Sequence, residues 1–304
     1  MQSQSTDGKY LISFSPRHTW TLTADPEVSD WMHHFGSIMG LANTDTRTGS
    51  HISIIPASRY FGEGFELNKG RMIQNYYGKY LFYPDTRDIV VSLSPEAMHD
   101  SKARSMSFKT LTIALTYSMQ NQGAILLHAA TLVRDNEAVL VAASSGGGKS
   151  TTASRLPSPW QAPGDECCIV LPGDGDYYVF ALPTWSQVLE DTERKNMWNT
   201  QKSYKLKAFC ILVQDNYDGM ERIGIAQSIS AITGSARQAT YIQLDKSGKD
   251  LNQNFFSGCF RIAERMIQDV PIYILRTTLT GRFWEEIERE LWEKHSDPIR
   301  TICR

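Results

Sequence analysis

The feature that most constrains the fold is an apolar run that leads directly into a glycine-rich loop. Residues Ala138–Ala143 are all apolar, which predicts a strand buried in the middle of a sheet. The following residues read Ser-Ser-Gly-Gly-Gly-Lys-Ser-Thr, and a short helix is expected to begin there and to end before Pro157. A strand, a glycine loop and a helix in this order are the context that a phosphate-binding P-loop requires.

The segment from Ala143 to Thr151 has the spacing of a P-loop, with alanine where the first glycine usually stands. Glycines let successive backbone N–H groups converge on phosphate oxygens. A lysine can reach the β- and γ-phosphates, and the next hydroxyl can coordinate Mg²⁺. A flexible surface loop is the alternative. The residues predicted to bind ATP and Mg²⁺ are Ser145, Gly146, Gly147, Gly148, Lys149, Ser150 and Thr151, with Ser150 on the metal.

Two adjacent carboxylates, Asp165 and Glu166, stand between Gly164 and the apolar run Cys167–Leu171. One could hold Mg²⁺ while the other accepts a proton from an attacking hydroxyl. Side chains alternate along an extended strand, so a bend is needed to bring both into one site. The alternative is a solvated acidic turn after Pro163.

A histidine lies on the strand that is expected to precede the loop strand. His128 stands among apolar residues within the strand predicted for Ile125–Val133. A histidine in such surroundings is often a satisfied core residue. Pairing of the two strands could also place it beside the γ-phosphate, where it would stabilise charge or orient a group.

Composition excludes several classes of protein. The 304 residues carry a net charge of −2, so no global basic field favours nucleic acid as a partner. The five cysteines form no C-x-x-C pair, which disfavours a zinc site or a disulfide framework. The first residues are polar, and no apolar stretch approaches the ~18 residues of a membrane span. We therefore expect a cytoplasmic protein that contacts neither nucleic acid nor membrane.

The remaining pattern divides the chain near residue 122. Residues 1–121 predict an α+β domain, and residues 122–304 predict the P-loop domain. Between His51 and Leu93, short apolar runs separated by turns predict a meander of antiparallel strands. Helical periodicity predicts the other principal helices at 27–41, 104–121, 251–266 and 282–292.

Taken together, these residues resemble the HPr kinase/phosphorylase family. The resemblance is carried by His128, the apolar strand, the Gly-Gly-Gly-Lys-Ser loop and the acidic pair, and it is strongest over residues 125–171. Among related proteins, the chain is most similar to the ScmC type of SynChlorMet peptide-maturation cassettes. This resemblance implies a phosphoenolpyruvate-carboxykinase-like (PEPCK-like) P-loop fold with a mixed sheet.

The resemblance also implies an activity: transfer of the γ-phosphoryl group of ATP to a serine hydroxyl. It implies Asp165 as the proton acceptor, His128 and Lys149 beside the γ-phosphate, and Glu166 as a second metal ligand. No segment matches the family's downstream Gly-Arg-Asn motif, so neither reverse phosphorolysis nor a hexamer is expected. A precursor peptide is the expected substrate, with radical SAM and peptide-recognition proteins as partners. The alternative is an ATP-binding scaffold without phosphoryl transfer.

Overall fold

A computed structural model describes residues 8–47, 49–59, 70–144, 146–190, 198–244 and 249–293, and they form two mixed sheets with helices. The expected mixed α/β class is confirmed. The first sheet lies before the predicted boundary near residue 122. Its strands are β1 (Lys9–Ser15), β2 (His18–Ala24), β3 (Ala42–Thr44), β4 (Ser50–Pro56), β5 (Arg71–Asn75), β6 (Gly78–Phe82) and β7 (Ile89–Leu93).

The strand order of the first sheet is β3-β1-β2-β4-β7-β6-β5. The predicted antiparallel meander is correct for β5, β6 and β7, which pair antiparallel. It is wrong for β4, which pairs parallel with both β2 and β7. Parallel neighbours need a long crossover, and the helix predicted for 27–41 provides it between β2 and β4.

The second sheet lies after that boundary, and its order is β11-β9-β10-β14-β13-β12-β8, with β16 also beside β14 and β15 beside β16. The strand predicted for Ile125–Val133 is in fact two strands, which are interrupted at His128. The strands are β8 (Ile125–Leu127), β9 (Ala129–Arg134), β10 (Glu137–Ala142), β11 (Gln161–Gly164), β12 (Cys168–Gly173), β13 (Asp176–Ala181), β14 (Ser203–Gln214), β15 (Gly219–Arg222) and β16 (Ile272–Thr277).

The predicted principal helices are all present, and one long helix was not predicted. Residues 225–244 contain several serines and threonines, and Gly234 in the middle of this helix weakens its local helical signal. The helices are α1 (Ser29–Ile38), α2 (Pro95–His99), α3 (Ser101–Ser118), α4 (Lys149–Ser154), α5 (Trp185–Glu190), α6 (Ile225–Leu244), α7 (Lys249–Asp269) and α8 (Phe283–Glu288), which continues as a π-helical turn (Arg289–Glu293).

Helix α3 packs against both sheets, contacting β6 and β7 of the first and β8 of the second. Asp100 caps its start by accepting the N–H of Ala103 at 2.7 Å. The helix is buried along most of its length, although it is rich in serine and threonine. Its buried hydroxyls are satisfied by backbone carbonyls three or four residues earlier, so burying them costs little. These hydroxyls belong to Ser105, Ser107, Thr110, Thr112, Thr116 and Ser118.

The centre of the second sheet is buried on both faces. One face shares a hydrophobic cluster with α3, α6, α7 and the first sheet. The other face packs against Trp160, α8 and the π-helical turn. Strands β10, β14 and β16 run parallel, so their carboxyl ends lie at one edge of the sheet. In open α/β sheets, ligands bind at that edge, and the glycine loop begins there, after Ala142.

Candidate active site

The glycine loop adopts a conformation that depends on its glycines. Gly146 and Gly148 have φ values of 74° and 96°, in the left-handed region that other residues rarely enter. The N–H of Gly147 donates to the carbonyl of Ser144 at 2.9 Å and closes a tight turn. Ser145, one of the predicted phosphate ligands, lies outside the described residues. The loop therefore has the curled backbone that can direct N–H groups at an anion.

Lys149 begins helix α4, and its side chain turns back under the loop. The residue is only 8% exposed, and its Nζ donates to the carbonyl of Ala143 at 3.1 Å. Burial lowers the pKa of this ammonium, whereas the nearby Cys167, Asp165 and Glu166 side chains act to raise it. A buried cation with a single protein acceptor among the described contacts retains two N–H donors for a ligand.

The acidic pair follows the end of β11. A Cβ on Gly164 would lie 2.6 Å from the carbonyl oxygen of Leu182, so glycine is required for this close approach. The approach brings Asp165 beside Thr184, whose Oγ1 donates to Asp165 Oδ1 at 2.5 Å. Asp165 is therefore held in place at the edge of the loop.

Glu166 has a different environment from its neighbour. Its Oε1 lies 2.8 Å from the Nζ of Lys109, and both side chains are largely buried, at 17% and 14% exposure. Its Oε2 accepts the backbone N–H of Ser186 at 3.1 Å. Burial alone would lower the pKa of Lys109, but the Cys167 thiol and the Glu166 carboxylate outweigh it and raise that pKa. The predicted metal ligand is thus engaged in an ion pair.

His128 occupies the break between β8 and β9. Its backbone N–H donates to the backbone carbonyl of Ser235 on α6 at 3.2 Å. The hydroxyl of Ser235 donates to the backbone carbonyl of His128, also at 3.2 Å. Its Nδ1 lies 3.9 Å from the thiol sulfur of Cys167. Burial, together with the charge of Lys149, lowers the pKa of His128 to about 4. The imidazole is therefore neutral near pH 7 and serves as a hydrogen-bonding group rather than a cation.

The glycine loop, the acidic pair and His128 line one cavity of about 360 Å³. Apart from Ser145, the cavity brings together every residue that the sequence analysis assigned to the site. Its lining residues are His128, Gly146, Gly147, Gly148, Lys149, Ser150, Thr151, Asp165, Glu166, Thr184 and Ser186. A cavity of about 640 Å³ shares Ser150, Thr151, Asp165 and Thr184 with it. A third cavity of about 410 Å³ shares Gly147, Gly148 and Thr151.

The sequence analysis did not foresee two contacts of the site, those of Thr184 with Asp165 and of Lys109 with Glu166. Thr184 and Lys109 hold the two carboxylates, but neither stands in a recognisable motif. Lys109 comes from α3, on the other side of the boundary predicted near residue 122. The sequence does single out Lys109 in one way, because it is the charged residue in an otherwise uncharged stretch from Ser105 to Gln120. Trp185, which follows Thr184, is buried at 2% exposure.

The fold and the site define an α/β protein with a glycine-loop cavity that is flanked by a lysine and an acidic pair. The chain belongs to the ScmC family, described as SynChlorMet cassette protein ScmC, whose family model matches residues 90–293. The match covers more than half of the chain and includes all of α3. The glycine loop, the acidic pair and Lys109 all lie within the matched residues.

A solved structure of the HPr(Ser) kinase/phosphatase from Coxiella burnetii is also similar to this chain. The two share 11% sequence identity with a TM-score of 0.28, over 56% of this chain and 95% of that one. At this TM-score the structures differ too much for a residue-by-residue comparison. No curated protein sequence matches the chain.

Proposed function

We propose that this protein transfers the γ-phosphoryl group of ATP to a hydroxyl, with a serine of a ribosomally made peptide as the acceptor. One observation carries the proposal: a buried lysine, an exposed serine and a carboxylate line a single cavity with a left-handed glycine loop. Phosphoryl transfer needs positioning and charge stabilisation more than covalent chemistry by the protein. This set of residues can supply both.

Each residue has a task in the proposed reaction. The acceptor oxygen forms a bond to the γ-phosphorus as the bond to the β–γ bridging oxygen breaks and ADP leaves. Lys149 stabilises charge on the phosphoryl oxygens, and the neutral His128 orients a group by hydrogen bonding. Asp165, held through one oxygen by Thr184, accepts the proton of the attacking hydroxyl. Asp165 lines both the loop cavity and the neighbouring 640 Å³ cavity, which we assign to the acceptor.

The residues of the loop cavity fit a magnesium ion. Ser150 is exposed and lines the cavity, and Asp165 also lines it, with its Oδ2 accepting no hydrogen bond from the described residues. Hydroxyl and carboxylate oxygens are the ligands that Mg²⁺ prefers. Bound with the nucleotide, the ion would neutralise negative charge on the phosphates. The sequence-based metal role of Glu166 requires it to exchange a protein partner for the ion.

The family description suggests where the partners come from. We propose that the acceptor is a precursor peptide of the SynChlorMet cassette and that radical SAM and peptide-recognition proteins of the cassette are partners. Among the described residues, no helix has the length and apolarity needed to cross a membrane. We further propose a cytoplasmic location, a PEPCK-like fold for the second sheet and a domain boundary near residue 122.

The test is incubation of the purified protein with Mg²⁺, γ-labelled ATP and a serine-containing cassette peptide, followed by mass spectrometry. We expect a single phosphoryl addition, and a rate about 10²–10⁴-fold lower for Asp165→Asn because that change removes the proton acceptor. ATP affinity measured without Mg²⁺ should be nearly unchanged in this variant, because the glycine loop and Lys149 hold the phosphates. Nucleotide binding without transfer to any cassette peptide would instead favour the scaffold alternative, and an unchanged rate in Asp165→Asn would contradict the proton-acceptor role.

A further inference from the structure

Lys109 reaches the site from outside its local sequence. It projects from α3, the helix packed between the two sheets, and meets Glu166 at 2.8 Å. Both side chains are largely buried, so water screens their interaction less than it would at the surface. A buried pair of this kind is costly to break, because removing one partner leaves the other charge uncompensated.

The two carboxylates of the acidic pair differ in their freedom to bind an ion. Both oxygens of Glu166 have protein donors, from Lys109 and from the N–H of Ser186. Asp165 has one donor among the described residues, the hydroxyl of Thr184. Within the described part of the chain, no three His, Cys, Asp or Glu side chains are grouped so that they could hold a metal ion. The protein itself therefore supplies the counter-charge for Glu166.

The charges around the cavity show what Lys109 changes. Among the charged side chains that line it, Asp165 and Glu166 are two negative groups and Lys149 is one positive group. Without another cation, a triphosphate would enter a cavity with net negative charge. The positive charge of Lys109 brings the sum of these side-chain charges to zero. In many phosphate-binding sites a metal ion does this and is the largest local charge.

We propose that Lys109 is a built-in cation that takes the place of a second metal ion at the acidic pair. It neutralises Glu166, keeps that carboxylate away from the metal and leaves Asp165 as the carboxylate available to Mg²⁺ and to the acceptor hydroxyl. Lys109 is thus a positioning residue that acts through Glu166. Its effect on phosphoryl transfer rests on the proposed function, whereas its effect on metal binding does not.

The first experiment titrates Mn²⁺ alone into the nucleotide-free full-length protein and measures free ion by electron paramagnetic resonance. The variants are Lys109→Met, Glu166→Gln and the double variant, with Lys102→Met as a matched control at an exposed position of the same helix. We expect Mn²⁺ to bind Lys109→Met about tenfold or more tightly than wild type, since Glu166 becomes free to ligate. The double variant and Lys102→Met should behave like wild type.

Equal Mn²⁺ affinity in wild type and Lys109→Met would overturn the proposal, as would tight binding that persists in the double variant. Should Lys109→Met fail to fold, Lys109→Gln removes the charge while its amide can still donate to Glu166, and we then expect a smaller rise in Mn²⁺ affinity over wild type. The double variant also removes the uncompensated charge. The midpoint temperature of thermal unfolding (Tm) of the double variant should therefore lie above that of Lys109→Met.

The second experiment separates this inference from the proposed function. If wild type phosphorylates a cassette peptide, Lys109→Met should show a lower kcat and a shifted Mg²⁺ dependence, and Glu166→Gln in the same chain should partly restore both. If wild type transfers no phosphate, the proposed function fails, and the Mn²⁺ titration still decides the role of Lys109. Lys109→Met with an unchanged Mg²⁺ dependence in an active enzyme would count against the proposal.

Discussion

The glycine loop and helix α3 contribute to the same site by different routes. The loop presents Gly146–Thr151 from consecutive positions, and its shape follows from local backbone preferences. Helix α3 contributes only the charge of Lys109, and it does so because packing between two sheets fixes where that side chain ends. A local motif can thus specify phosphate binding, while tertiary packing sets the charge balance around it.

The contrast between a local motif and tertiary packing can be tested by mutation. The largest loss of stability is expected where the packing of α3 is disrupted. Phe108 is fully buried next to Lys109 and contacts the rings of Trp31 and Phe35. We expect Phe108→Ala to lower the free energy of unfolding by about 3–5 kcal/mol, because it removes a large side chain from a close-packed core. Chemical denaturation would measure it.

A matched control for Phe108→Ala is Phe260→Ala on α7, because that ring is 47% exposed and loses little burial. If the two variants lose equal stability, the packing of α3 is not what fixes the position of Lys109. If Phe108→Ala stays folded but its Mn²⁺ affinity rises like that of Lys109→Met, the link between packing and the charge of the site is strengthened.

A smaller effect is expected at His128, where the loop region meets α6. Its pKa falls from 6.5 to about 4 on folding, so the unfolded chain binds more protons between those pH values. The contribution of His128 to stability is therefore fully present above about pH 6.5 and is lost as the pH falls towards 4. The difference in unfolding free energy between wild type and His128→Gln should decrease over that range.

Denaturation at several pH values checks this prediction, and NMR titration of the His128 ring gives the pKa directly. A midpoint near 6.5 would show that the ring is solvated and would remove it from the buried part of the site. A difference in unfolding free energy between wild type and His128→Gln that does not change with pH would also show that the ring is solvated.

Local signals account for much of the fold and the candidate site. The apolar strand β10, the glycine loop and the acidic pair each stand in a continuous stretch, so their proximity could be expected from chain order. Helix α6 was missed because Gly234 and several serines and threonines lower its helix propensity, although Ile229, Ile232 and Ala236 have helical spacing. Only the tertiary structure shows that α6 holds the backbone of His128.

The parallel pairing of β4 and the position of Lys109 depend on contacts between distant segments. An apolar run such as Ile52–Ile55 fits a parallel or an antiparallel neighbour, and the chain connection decides between them. Lys109 likewise stands in a helical stretch whose pattern does not show that its side chain faces the site. Lys109 and Glu166 are 57 residues apart in the sequence, so no local motif joins them.

The central claim is that the glycine loop and Lys149 bind the phosphates of a nucleotide, and calorimetric titration with Mg-ATP tests it most directly. We predict one binding site per chain in wild type and about 10- to 150-fold weaker binding in Lys149→Met, from the loss of about 1.5–3 kcal/mol of charge-assisted hydrogen bonding. Lys102→Met should bind like wild type. Equal affinities of wild type and Lys149→Met, or no binding by wild type, would contradict the account.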